Sequence, residues 1–117
     1  MPTKAKNLRN GCWLAEDLYI ASSFFSKGKG LLGKKSIPDG YGLLITSCNS
    51  IHSFFMAFSF DAIFLDKNNE VVHIINAMPA NRISPIVRRS HSVLEVPAGK
   101  VQATMTIVGD TIDVVKE

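Results

Sequence analysis

Apolar residues in this chain come in short runs closed by glycine, proline, asparagine or aspartate, the pattern of short β-strands joined by turns. Residues 13–15 and 18–20 flank Glu16 and Asp17 and predict two short strands. Residues 42–46, 53–58 and 61–65 predict three more. The turn sequence 66–70, Asp-Lys-Asn-Asn-Glu, predicts a hairpin returned by residues 71–75, because asparagine tolerates the left-handed backbone region. Residues 92–96 form another strand run, followed by a Pro97-Ala98-Gly99 turn. Residues 100–106 suit either helix or strand, and a Gly109-Asp110 turn precedes a last strand at 111–115.

One segment departs from this pattern. Ser22 or Ser23 can cap a helix whose Phe24, Phe25, Leu31 and Leu32 fall near one face, with Gly33 suited to end it. Gly28 and Gly30 weaken that helix. They stand among Lys27, Lys29, Lys34 and Lys35, a basic cluster that matches no phosphate-loop spacing and reads as a solvated face. Residues 76–91 contain Pro79 and Pro85 and no clear periodicity. They predict a long loop carrying Arg82, Arg88 and Arg89, and loops of that length are often functional. The fold class expected is a strand-rich α+β domain, a compact and partly closed barrel-like sheet with one or two short helices. Residues 1–10 are expected to be a flexible, polar, basic arm, and 11–117 a single domain.

Composition narrows the picture only modestly. The 117 residues are 46% hydrophobic, which suits one packed core and excludes a disordered chain. The net charge of +3 permits an anionic partner, but the charge is too dispersed to point to nucleic acid. Cys12 and Cys48 are too few for a disulfide framework and are expected to be reduced. No apolar leader segment follows the basic start, and the apolar run 51–65 is too short and too polar for a membrane span. A cytoplasmic protein is the resulting expectation.

The chemistry concentrates in residues 48–66. There Cys48, Asn49, His52, Met56 and Asp61 interrupt the most hydrophobic part of the chain, where an unpaired polar group costs about 1–3 kcal/mol. Cys48, His52 and Met56 are four apart and offer soft-metal ligands, but on a strand that spacing is about 13 Å, so no metal or cofactor is expected unless a turn folds Cys48 back. Asp61 lies among apolar neighbours and suits either an acid or base or a carboxyl bonded to backbone N–H groups. Glu95 sits between Leu94 and Val96. It either faces solvent or faces inward and needs a cation such as Arg82 or Lys27.

Four segments carry a resemblance to a family. They are Phe25-Ser26-Lys27-Gly28-Lys29-Gly30-Leu31-Leu32; Gly42-Leu43-Leu44-Ile45 with the run from Cys48 through Met56 and Phe58-Ser59-Phe60-Asp61; Pro79 with Arg82; and Val93-Leu94-Glu95-Val96-Pro97-Ala98-Gly99 with Gly109-Asp110. Together they resemble the DUF192 (UPF0127) family of small bacterial and archaeal proteins whose function is unsettled. The resemblance implies a compact, strand-rich α+β fold and no particular reaction. Four positions depart from the family pattern: Lys27 stands where an arginine is usual, Leu32 where a methionine is, and Asn69 and Met105 where glycines are. If the family's arginine holds an anionic group by a bidentate contact, Lys27 would do so less specifically and is the weaker anion contact.

These observations lead to the expectation of a non-catalytic domain binding a small polar or anionic ligand. Its pocket would be lined by Cys48, Asn49, His52, Met56, Asp61, Arg82 and Glu95. The alternatives are an enzyme using Asp61 or Glu95 with His52, a soft-metal protein using Cys48, His52 and Met56, and an interaction module using the Lys27 cluster.

Overall fold

A computed structural model of the protein describes residues 3–21, 37–53 and 58–116. Eight strands and one short helix are found among them: β1 (Thr3–Asn7), β2 (Trp13–Ala15), β3 (Asp17–Ala21), β4 (Tyr41–Thr46), β5 (Phe60–Leu65), β6 (Val71–Met78), β7 (Ser92–Pro97), α1 (Lys100–Ala103) and β8 (Ile112–Lys116). The predicted helix at 22–33 and most of the predicted strand at 53–58 lie outside the described residues.

The strands form two open sheets, ordered β2-β1-β8 and β3-β4-β7-β5-β6, and neither closes into a barrel. The barrel-like expectation is therefore corrected to two separate sheets, mostly β with little helix. Glu16 alone separates β2 from β3, so the chain leaves the first sheet and enters the second with almost no loop. Its N–H, like that of Asp17, donates to the Gly40 carbonyl. The remaining pairings in the second sheet are antiparallel, but β3 and β4 run parallel, which requires the long crossover between residues 21 and 41.

The basic N-terminal stretch is not a frayed arm. It supplies β1, the middle strand of the smaller sheet, and pairs Ala5 with Val114 of β8. Alternation explains the arrangement: Ala5 and Asn7 are fully buried, while Lys4 and Lys6 point out and place their ammonium groups 5.3 and 5.4 Å from the Trp13 ring centre.

One face of the larger sheet packs on the smaller sheet and α1, joining Leu18, Leu44, Ile63, Leu94 and Val96 to Ala5, Leu14, Val101 and Ile112. The opposite face carries a second core of Tyr41, Leu43, Ile45, Phe60, Ala62, Phe64 and Val93. Strands covered on both faces read as continuous apolar runs, as β5 does throughout. Gly42 sits at a close approach of the two sheets, since a Cβ there would lie 2.6 Å from the Ala15 Cβ and 3.1 Å from Leu18 Cδ1. The Ala15 Cβ is fixed to its backbone and cannot yield. Gly42→Ala is expected to lose about 2 kcal/mol of stability in urea denaturation, a typical overpacking cost.

Both positions where the family glycine is replaced have positive φ, 61° at Asn69 and 54° at Met105. Asparagine tolerates this region, whereas an ordinary L side chain loses roughly 1–2 kcal/mol there. Met105 is 63% exposed, so its side chain gains little from packing in return. Met105→Gly is expected to raise stability by about 0.5–1 kcal/mol, visible as a higher melting temperature.

Candidate functional site

Asp61 and Glu95 are both buried, and their surroundings differ completely. On β5, Asp61 lies opposite Val96, and Ala62 lies opposite Glu95. The two carboxyl groups therefore face opposite sides of the sheet.

Asp61 is fully buried on the inter-sheet face. Its Oδ1 accepts the N–H of Ala77 at 2.8 Å, and its Oδ2 accepts those of Gly99 at 3.0 Å and Val101 at 2.9 Å. Ala77 sits at φ 49° where β6 slips register against β5, so its N–H is freed from the ladder. Gly99 caps α1 and has no side chain of its own to serve the first turn. Asp61 thus holds a bulge and a helix start together. Both of its carboxyl oxygens are engaged by backbone donors.

Glu95 faces the second core beside Val93, between Leu43 and Ala62. It is 5% exposed, and among the described residues no hydrogen bond reaches its carboxyl group. Burial pushes its pKa up to about 8. The nearby Tyr41 hydroxyl is also pushed up, first by burial and then by the charge of Glu95. Tyr41 lies against Tyr19, with ring centres 5.3 Å apart, and the Tyr19 hydroxyl donates to Asp17 Oδ2 at 3.3 Å.

The other predicted residues are dispersed. His52 is exposed and bridges Ile83 in an antiparallel pairing of 49–53 with the 81–87 loop. Arg82 is exposed, and among the described residues its guanidinium reaches the Asn81 carbonyl, at 3.4 Å. It does not supply the cation that an inward Glu95 was expected to need. Lys27 and Met56 lie outside the described residues, as do Lys29, Lys34 and Lys35. Cys12 and Cys48 are not joined in a disulfide, and among the described residues no three His, Cys, Asp or Glu side chains cluster as metal ligands would.

Cys48 and Asn49 do line a recess, with partners that sequence reasoning missed. Together with Ser47, Ser90 and His91 they border a volume of about 190 Å³. The Cys48 thiol donates to the Ser50 carbonyl at 3.1 Å, and the Ser90 hydroxyl donates to the Cys48 carbonyl at 2.9 Å. Ser90 and His91 also border a neighbouring recess of about 430 Å³ with Asp66, Lys67, Arg88 and Arg89. The hairpin turn supplies Asp66 and Lys67, whereas the turn before β7 supplies the arginines. Asp66 Oδ1 accepts the N–H groups of Asn68 and Glu70, which hold its carboxylate below the usual range. Arg89 stands 3.8 Å from Asp66 Oδ2. The arginine-bearing loop was legible in the sequence. Its meeting with Lys67 depends on the pairing of His91 N–H with the Leu65 carbonyl, which no local pattern announces.

A further polar cluster is structural. Asp110 receives Arg9 Nε at 2.7 Å, Asn7 Nδ2 at 2.8 Å and the Ile107 N–H at 3.0 Å. The hydrogen bond from Arg9 leads these contacts in depressing its pKa to about 2. The cluster ties the Gly109-Asp110 turn to the end of β1.

The described residues thus form two open sheets and one short helix. The DUF192 family model, described as an uncharacterized ACR, matches residues 6–114, and the chain belongs to that family. A UPF0127 protein of Thermococcus sibiricus is 35% identical over 100 residues, covering 80% of this chain and 63% of the relative, so the chain spans less than two thirds of that protein. A UPF0127 protein of Pyrococcus horikoshii is 36% identical over 110 residues, covering 89% of this chain and 91% of the relative. Among solved structures, a protein of unknown function from Novosphingobium aromaticivorans superposes with a TM-score of 0.82 at 16% identity, over 97% of this chain and 84% of its own. A Sinorhizobium meliloti protein provisionally described as a transcription regulator gives a TM-score of 0.77 at 16% identity, over 96% and 91%. At that identity the two structures show the fold alone. No helix among the described residues is long and apolar enough to cross a membrane.

Proposed function

We propose that this chain is a non-catalytic domain that binds a small anionic ligand in the recess between the hairpin turn at 66–70 and the turn at 88–91. The observation that carries this reading is the meeting of Lys67, Arg88 and Arg89 with His91 around one recess of about 430 Å³. Asp66 is the acid among its lining residues, and its Oδ1 is already occupied by two backbone N–H groups. Guanidinium groups match the planar oxygens of carboxylate and phosphate, so an oxyanion is the natural ligand class. The adjoining recess at Ser47, Cys48 and Asn49 shares Ser90 and His91 and offers hydroxyl and amide groups to the rest of the ligand.

Calorimetric titration with inorganic phosphate and with citrate at low salt tests the reading. At least one anion is expected to bind and to raise the melting temperature as RT ln(1 + [L]/Kd) requires. The double variant Arg88→Ala/Arg89→Ala is expected to weaken binding at least tenfold while its own stability stays within about 0.5 kcal/mol, because both side chains are exposed. Absence of binding by both anions, or unaltered binding by the double variant, overturns it.

A further inference from the structure

The two recesses have Ser90 and His91 as a common wall. The larger, of about 430 Å³, lies within the roughly 300–1,000 Å³ of a small-molecule site, and the smaller, of about 190 Å³, falls below it. The smaller recess is therefore a place for part of a ligand rather than for a second one. Backbone hydrogen bonds fix the two against each other. The Cys48 N–H donates to the His91 carbonyl at 3.0 Å, and the Val87 N–H donates to the Asn49 carbonyl at 2.8 Å. The Ser90 hydroxyl adds its bond to the Cys48 carbonyl at 2.9 Å. Residues 47–49 and 87–91 thus carry the pairing onward from Thr46 and Ser92, where the β4–β7 ladder ends. A frame tied in this way keeps the ordering cost of binding low. Ser47, on the border of the smaller recess, is held at φ 52°, in the left-handed region that a residue other than glycine seldom takes. Residues kept there gather at ligand-binding segments.

The recesses differ in chemistry. Around the larger one, among the described residues, Lys67, Arg88 and Arg89 face one carboxylate, Asp66. The N–H groups of Glu70 and Asn68 help to hold that carboxylate ionised. Three cations against one carboxylate leave two positive charges. A phosphate monoester brings a charge of about −1.5 to −2 at neutral pH and three acceptor oxygens, which matches that excess better than the single charge of a monocarboxylate or a phosphodiester. The smaller recess is bordered by the hydroxyl, thiol and carboxamide groups of Ser47, Cys48 and Asn49. A hydroxyl and a carboxamide both donate and accept, so they suit uncharged hydroxyl groups rather than a second anion.

We propose that the ligand is a small hydroxylated phosphate monoester, a polyol or sugar phosphate. Its phosphate lies among Lys67, Arg88 and Arg89, and its hydroxyl-bearing body lies against Ser47 and Asn49. The inference rests on the anion-binding reading above and names the ligand class of that same site.

Calorimetry at low salt with inorganic phosphate, glycerol phosphate and ribose phosphate, each ester carrying its phosphate on a terminal carbon, tests the proposal. At least one ester is expected to bind about tenfold or more tightly than inorganic phosphate, the gain that one or two added hydrogen bonds give. Ribose without phosphate is expected to give no measurable binding. The Asn49 side chain is exposed, so Asn49→Ala is expected to fold as the wild type does. It is expected to remove most of the ester's gain over inorganic phosphate. Arg88→Ala/Arg89→Ala is expected to weaken ester and inorganic phosphate alike. Binding of inorganic phosphate or citrate with no gain for either ester overturns this proposal and leaves the anion recess standing. Absence of binding by every anion overturns both. An ester gain that survives Asn49→Ala, or ribose binding as tight as that of its phosphate, overturns the proposal as well.

Discussion

Asp61→Ala is expected to cost about 4 kcal/mol or more of stability, far beyond the loss at Gly42. The carboxylate is fully buried and accepts from Ala77, Gly99 and Val101. Hydrogen bonds to a charged group contribute roughly 1.5–3 kcal/mol net, and each donor left bare in the interior costs about 1–3 kcal/mol. These terms overlap and do not add fully. Alanine would strand three N–H groups at once, two of them at the start of a four-residue helix that cannot nucleate unaided. Asp61→Asn should recover only part of the loss. Its amide keeps one acceptor oxygen and turns a donor NH₂ towards N–H groups on the other side. Urea denaturation of the three proteins measures the effect. A loss below about 1 kcal/mol for Asp61→Ala would remove the structural role and return Asp61 to the candidate acids and bases.

Local chemistry was legible where a residue's own conformation decides the outcome. The 66–70 turn with Asn69, the strand runs on either side of it and the turn before α1 all follow from neighbouring residues, whereas Met105 was marked as a glycine position by the family resemblance alone. What depends on partners distant in sequence was not legible. β1 reads as a polar arm because its one small apolar residue, Ala5, gains its meaning from Val114, over a hundred residues away. The barrel expectation failed for the same reason. Counting strands does not reveal that β1 and β8 pair with each other in a sheet separate from the five-stranded one. The candidate site shows the limit most clearly. Asp61 and Glu95 both lie in runs buried on two faces, so alternation gives no inside or outside. A one-residue change of register would exchange their surroundings. The structure separates them, one into a cage of N–H groups and the other onto a face shared with two tyrosines. It also leaves His52 and Arg82, which the sequence had grouped with them, on an exposed loop pairing.

Glu95→Gln is expected to stabilise the protein on the alkaline side by on the order of 3–5 kcal/mol, while leaving it nearly unchanged near pH 4.5. The folded-state pKa of about 8 stands above the ordinary value of 4.5. Below pH 4.5 both states hold the proton and the group contributes nothing to the difference. Between 4.5 and 8 the unfolded chain releases its proton while the folded chain keeps it, so wild-type stability falls by about 1.4 kcal/mol per pH unit. Above 8 both states are ionised and the full penalty persists. Glutamine is neutral throughout and removes this slope. Asp110 acts with the opposite sign. Its pKa falls from 3.8 to about 2, so its contribution is complete above 3.8 and is lost as pH drops through 2. The two groups together place the wild-type optimum on the mildly acidic side, although the chain is basic overall. Urea denaturation from pH 4 to 9 should therefore give wild-type and Glu95→Gln curves that meet at the acid end and diverge above it. Parallel curves would mean that Glu95 has a partner that keeps it ionised.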